Sequence, residues 1–145
     1  MIRKARPEDA ARICELVGHF LTQTTYRAVL PHKPANVAAL VAQVLDSGCI
    51  LVAEADGVIV GFLAGLPLEE PVAGLRMFDE LAWWVEPTHR GGSLVGPKLL
   101  RTAERWAKQK NLQLCKMVAP AGTNVGAFYR RMGYTEVETS WIKRL

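Results

Sequence analysis

The sequence predicts an α/β fold: a mixed sheet with helices on both faces, in a single domain spanning residues 1–145. Three observations predict it. Apolar residues recur at helical spacing in several segments, such as Ala10, Ile13, Leu16, Val17 and Phe20. Between them lie β-rich runs bounded by turn residues, such as Ile50 to Ala55 and Val58 to Leu66. The two kinds of segment follow the order β-α-α-β-β-β-α-β-α-β. Half of the 145 residues are hydrophobic and 22% are charged, enough for one domain with its own core.

The elements are justified in order. Ile2 to Lys4 is a short strand. A helix follows from about Pro7, with Glu8 and Asp9 complementing the dipole of its first turn. From Thr22 to Pro34 the pattern breaks into a loop. Asn36 caps a second helix with Val37, Leu40, Val41, Val44 and Leu45 on one stripe, and Gly48 ends it. Two strands, Ile50 to Ala55 and Val58 to Leu66, are joined by Asp56-Gly57, a strong hairpin signal. Pro67 to Gly74 reads as a loop and Leu75 to Val85 as a longer strand. A helix from about Gly96 to Lys110 turns Leu99, Ala103, Trp106 and Ala107 inward. Leu112 to Val118 is a strand, and Asn124 caps a short helix that Gly133 terminates. Tyr134 to Leu145 supplies one or two closing strands.

Composition excludes several classes. Cys14, Cys49 and Cys115 are far apart, odd in number and set among apolar residues, so they read as reduced core thiols. The cysteines and His19, His32 and His89 show no metal-ligand spacing. A net charge of +4, spread along the chain, gives no basic stripe or stacking platform for nucleic acid. No apolar run reaches the length of a membrane span, and the N-terminus lacks a signal-peptide core. The expectation is a cytoplasmic protein without nucleic-acid or membrane partners.

The most informative segment is His89-Arg90-Gly91-Gly92-Ser93-Leu94-Val95-Gly96-Pro97, between a strand and a helix. Glycines let a backbone approach phosphate oxygens, and the first-turn N–H groups and dipole of the helix favour an anion. Arg90 adds a fixed bidentate donor. Pro97 suits a first helical turn, which has no use for its missing N–H. Read alone, the same loop is also an ordinary surface turn.

With a second segment, Asn124-Val125-Gly126-Ala127-Phe128-Tyr129-Arg130-Arg131-Met132-Gly133-Tyr134, the pattern resembles the GNAT superfamily of acyl-CoA-dependent N-acyltransferases. Gly96 with Leu99-Leu100 matches the family's helix entry, and Val85 to Gly91 its strand exit. The second segment follows the family pattern Asn-x-x-Ala-x-x-Phe/Tyr-Tyr-x-x-x-Gly-Phe/Tyr if one spacer is dropped. One residue more separates Arg90 from Gly96 than in the usual pattern, and Gly91-Gly92 take it up.

The resemblance implies a mixed, mostly antiparallel sheet and acetyl-CoA as co-substrate. It implies transfer to the amine of a small molecule or peptide by direct attack in a ternary complex, with no metal. A non-catalytic acyl-CoA-binding module on the same fold is the alternative. The resemblance also allows a homodimer. It assigns cofactor contacts to Trp83, Trp84, Val85, Arg90, Gly91, Gly92, Ser93, Leu94, Val95, Gly96, Pro97, Lys98, Asn124, Ala127, Phe128 and Tyr129. Tyr129 matches the family's thiol-facing tyrosine. The base that deprotonates the amine is Glu80 or Asp79. These are neighbours on one strand, so they point to opposite faces, and Asp79 shares the parity of Trp83 and Val85. Glu80 is the first choice, and a water chain without a dedicated base is the third reading. Thr24, Tyr26, His32 and Trp141 are candidates for the acceptor site by position alone.

Overall fold

Five strands pair side by side in chain order. They are β1 (Ile2–Lys4), β2 (Cys49–Ala55), β3 (Val58–Glu70), β4 (Leu75–Val85) and β5 (Leu114–Lys116). The first four run antiparallel to their neighbours, and β5 joins β4 in parallel. The structure is a computed structural model and describes residues 1–145. Its helices are α1 (Ala10–Thr22), α2 (Pro34–Ser47), α3 (Val95–Gln109) and α4 (Val125–Arg131). A parallel neighbour requires a crossover, and α3 provides it. No helix is long and apolar enough to cross a membrane.

Two apolar layers sandwich the sheet. Ile13, Leu16 and Phe20 of α1 and Val37, Val41 and Val44 of α2 pack on Ile50, Val52 and Phe62. On the other face Leu99, Leu100, Ala103 and Ala107 of α3 and Tyr129 of α4 pack on Leu51, Leu63 and Phe78. The alternation within β2 assigns successive residues to opposite layers, as the pleat demands. Arg3 ties β1 to the start of α1. Its guanidinium grips the Asp9 carboxylate at 2.7 and 3.0 Å, and Asp9 also accepts the Arg6 backbone N–H at 2.7 Å.

The expected hairpin forms, with Asp56 and Gly57 both left-handed at φ 50° and 75°. Several boundaries differ from the sequence expectation. The second helix starts at Pro34, ahead of Asn36, because a proline at the first helical position forfeits no intrahelical bond. Strand β3 runs through Pro67 to Glu70, where a loop was expected. Its pairing with β2 stops at Gly65, so Pro67 sits where β3 has β4 on one side only, and its missing N–H is tolerated.

The closing strands expected over Tyr134 to Leu145 do not form. The segment has the composition of a strand, but its start is held against the helices. The Tyr134 hydroxyl donates to Glu104 of α3 at 2.8 Å, and Arg130 of α4 pairs with Glu136 at 2.7 Å. Strand β5 offers only three residues to pair with, and Trp141 is left 90% exposed.

One irregularity governs the site. Ala64 of β3 faces Ala82 of β4, but Gly65 faces Glu80, so Leu81 is an extra residue in β4. This β-bulge resets the alternation of β4. Phe78 packs in the α3 layer, whereas Ala82 and Trp84 pack in the α1–α2 layer, although even spacing would put all three on one face. Gly65 makes the bulge feasible. A Cβ there would run into the Phe78 ring and come within 2.7 Å of the Asp79 carbonyl oxygen.

Gly65→Ala is therefore expected to lower stability by about 1–3 kcal/mol, the range for overpacking a core. Gly126→Ala, on α4 where an added Cβ meets nothing within 4 Å, is expected to raise it by up to about 1 kcal/mol through helix propensity. Urea denaturation midpoints of the two variants, measured side by side, check the pair.

Candidate active site

Strands β4 and β5 are neighbours over only three residue pairs, Met77 to Asp79 against Leu114 to Lys116. Beyond that they part, and Glu80 stands at the fork. It is 6% exposed, and its Oε2 accepts the backbone N–H of Val118 at 2.7 Å. From the other side the Tyr129 hydroxyl donates to the Val118 carbonyl at 2.8 Å. Two side chains thus hold one residue of the departing strand. From the fork a cleft of about 760 Å³ runs along β4 to the glycine loop.

Burial pushes the Glu80 carboxyl up to about 7. The Val118 N–H opposes that shift, and the neighbouring Asp79 charge adds to it. Asp79 is outside the cleft. Its carboxylate lies 3.7 Å from Lys116 Nζ, which also reaches Glu138 at 3.4 Å. The parity that aligned Asp79 with Trp83 and Val85 in the sequence is broken by the extra residue Leu81.

Tyr129 is 7% exposed and surrounded by the rings of Trp83, Phe128 and Tyr134, at 5.6 to 6.0 Å between centroids. Burial, and then the Glu80 charge, raise its pKa well above the ordinary phenol value, so it keeps its proton. That proton is directed at Val118. The ring forms part of the wall of a neighbouring cleft on the β5 side, and Glu80 lines the cleft along β4.

At the far end, Gly91 and Gly92 are both left-handed, at φ 63° and 70°, a conformation that glycine adopts without strain. The Ser93 hydroxyl donates to the His89 carbonyl, closing the loop on itself. The chain then enters α3, whose first-turn N–H groups have no intrahelical partners. Arg90 is held in place: its Nε donates to the Val85 carbonyl at 2.6 Å, and its guanidinium lies 4.1 Å from the centroid of the Trp84 ring.

Behind it, Glu86 is a hub. One oxygen accepts Trp84 Nε1 at 3.2 Å. The other meets Arg12 at 3.2 Å and His19 Nδ1 at 2.9 Å, both from α1. Burial pushes this carboxyl up, but Trp84, His19 and Arg12 outweigh it and hold the group below its ordinary value.

Of the residues expected to bind a cofactor, Trp83, Trp84, Val85, Arg90, Gly91, Ser93, Gly96, Pro97, Asn124 and Phe128 line this cleft. Gly92, Leu94, Val95, Lys98, Ala127 and Tyr129 do not; Val95 and Tyr129 pack inward, and Leu94, Lys98 and Ala127 face solvent. Asn124 precedes α4, but its side chain makes no capping bond. Thr24 and Tyr26 line the cleft, whereas His32 lies over Gly18, and Trp141 stands clear. Val118, Leu81 and Arg131 also line it, and sequence reasoning missed them along with Glu86. For Leu81 the one signal was Gly65, a glycine inside an otherwise apolar strand.

The indole N–H of Trp83 is buried without a partner. An added Cβ on Gly96, in the first turn of α3, would lie 3.2 Å from the Trp83 ring, so this edge of the indole borders the helix N-terminus.

Residues 46–136 match the family model described as "Acetyltransferase (GNAT) domain". No curated protein matches the sequence. Among solved structures, the ribosomal-protein-alanine N-acetyltransferase of Brucella melitensis biovar Abortus 2308 is 22% identical, with a TM-score of 0.73 over 100% of this chain and 99% of its own. AAC(6')-Iy, solved with the bisubstrate analogue CoA-S-monomethyl-acetylneamine, is 20% identical, with a TM-score of 0.80 over 100% and 97%. A predicted acetyltransferase of Clostridium acetobutylicum, solved with acetyl-CoA, is 18% identical, with a TM-score of 0.80 over 100% and 95%. At these identities the structures share the fold. The family match spans the bulged strand, the glycine loop and α4, the segments that build the cleft, and on that ground the chain belongs to the GNAT acetyltransferase family.

Proposed function

We propose that this chain transfers the acetyl group of acetyl-CoA to a primary amine by direct attack within a ternary complex. The observation that carries the reading is the cleft itself. A buried carboxyl stands at one end, and a glycine loop running into a helix N-terminus stands at the other.

The residues present fit acetyl-CoA. Gly91 lines the cleft and an added Cβ there would meet nothing within 4 Å, so the chain leaves room for a pyrophosphate to approach the loop. The unpartnered Trp83 N–H beside α3 is a buried donor awaiting an acceptor. The outer edge of β4 from Leu81 to Val85 carries no strand, which suits an extended pantetheine arm laid along it. When bound, acetyl-CoA supplies an activated acetyl group as a thioester.

The remaining chemistry falls to side chains. An alkyl ammonium is almost wholly protonated at pH 7 and cannot attack. Glu80, with its carboxyl near 7, takes that proton directly or through one water, at the pH where a base is best matched. The backbone N–H groups of β4 around Trp83 to Val85 supply donors for charge developing on the carbonyl oxygen. Tyr129 stays neutral and serves as the donor to the departing sulfur, a role that requires its hydroxyl to leave the Val118 carbonyl. Arg90, Gly91 and the start of α3 hold phosphate.

Thiol release from acetyl-CoA across a broad amine panel tests the reading; coenzyme A binding without release from any amine would favour a non-catalytic binding module. Glu80→Gln is expected to lower kcat by about 10²–10⁴-fold and to remove the rise of kcat/KM with pH centred near 7. The same residue predicts a stability trend. Its folded pKa lies above the unfolded value of about 4.3, so the folded state binds more protons in between, and stability falls as pH rises from there to 7. Glu80→Gln is expected to flatten that part of a melting-temperature profile.

Tyr129→Phe is expected to lower kcat by roughly 10–100-fold, the worth of one hydrogen bond to a charged group, with the Kd for coenzyme A nearly unchanged. Arg90→Ala is expected to raise that Kd by a similar factor. Steady-state kinetics and calorimetry check both.

A further inference from the structure

We propose that the acceptor is an apolar or aromatic monoamine rather than a polycation; this rests on the acetyl-transfer reading and names the acceptor class of that same cleft. The charge inventory carries the argument. Glu80 is the only carboxylate lining the cleft, and it is buried at the fork. The fixed charges on the walls are those of Arg90 and Arg131. A polyamine or aminoglycoside brings several ammonium groups, each of which loses hydration on entry and needs an anionic partner. Glu80 provides at most one negative charge, and with Arg90 taken up by phosphate the remaining fixed charge on the walls is the cation Arg131.

Much of the rest of the lining is apolar. Phe20, buried at the end of α1, and Tyr26 in the following turn pack with their rings tilted by 46° at 5.5 Å between centroids. Leu81, pushed out by the bulge, and Pro120 continue the surface. Thr24 shares this lining, but its hydroxyl is committed to the Phe20 carbonyl at 2.7 Å, so it adds little polar character. An amine with one nitrogen and an aromatic or aliphatic body matches such a lining. The nitrogen faces Glu80 and the body covers Phe20 and Tyr26, which displaces water and favours the neutral amine needed for attack.

The chemistry balances. The ammonium gives one proton to Glu80, the amine nitrogen then bonds to the acetyl carbon, the carbon–sulfur bond breaks, and the second proton lost from nitrogen passes by way of Tyr129 or water to the thiolate, which leaves as the thiol. The test sets 2-phenylethylamine against spermidine and the aminoglycoside neamine. Expected are a kcat/KM at least roughly 10-fold higher for 2-phenylethylamine and, for Tyr26→Ala, a loss of most of that preference with an unchanged Kd for coenzyme A. Equal or higher kcat/KM for either polycation would overturn the proposal. Calorimetry of the same amines against the complex with coenzyme A separates the two readings. With no thiol release at all, acetyl transfer fails, yet tighter binding of 2-phenylethylamine than of spermidine still supports the acceptor class, and the reverse order overturns it.

Discussion

The cleft depends on β4 and β5 parting after three residue pairs, and on the contacts made where they part. Parallel strands zip until something takes up their hydrogen-bonding groups. Here Glu80 captures the N–H of Val118 and Tyr129 captures its carbonyl, so that residue is removed from any further ladder. The outer edge of β4 is thereby left open along the cleft. The same contact explains the state of the carboxyl. A group that must stand at the vertex of a fork is buried from nearly all sides, and one backbone N–H offsets only part of the lost hydration. The geometry that opens the cleft and the proton affinity useful in it have one cause.

A second layer of organisation fixes the opposite end. Glu86 joins α1 to the exit of β4, and through Trp84 it sets the plane against which Arg90 lies. The loop itself has two consecutive left-handed glycines and little packing of its own. Its one cation is nonetheless oriented, because the residues beneath it are anchored in both the sheet and the helix.

The sequence made much of this legible. Helical periodicity, Asp56-Gly57, and the alternation of strand-like and helix-like segments located all four helices and five strands to within a few residues. The glycine loop and the Asn124 to Tyr134 segment pointed to the cleft. The bulge at Leu81 was not visible, because pattern reading assumes an unbroken period of two; the extra residue is defined only by pairing with β3. That omission left the choice between Glu80 and Asp79 open. Long-range partnerships were equally invisible: nothing near Glu86 in the chain announces Arg12 or His19. The tail from Tyr134 misled in the other direction. Its composition suits a strand, but composition does not show that its first residues are already engaged by Glu104 and Arg130.

The bulge also decides how the two layers meet. Because β4 switches faces at Leu81, the groups around Phe78 and Tyr129 share a layer with α3, while Ala82 and Trp84 belong to the layer of α1 and α2. The cleft is lined by Phe20 at the end of α1 and by Thr24 and Tyr26 just after it, and also by the glycine loop and the entry to α3. The two ends are not independent, because Arg90 rests on Trp84 and, through Glu86, on Arg12 and His19 of the same α1 that carries Phe20. A single inserted residue in one strand thus brings both helix layers to bear on one cleft.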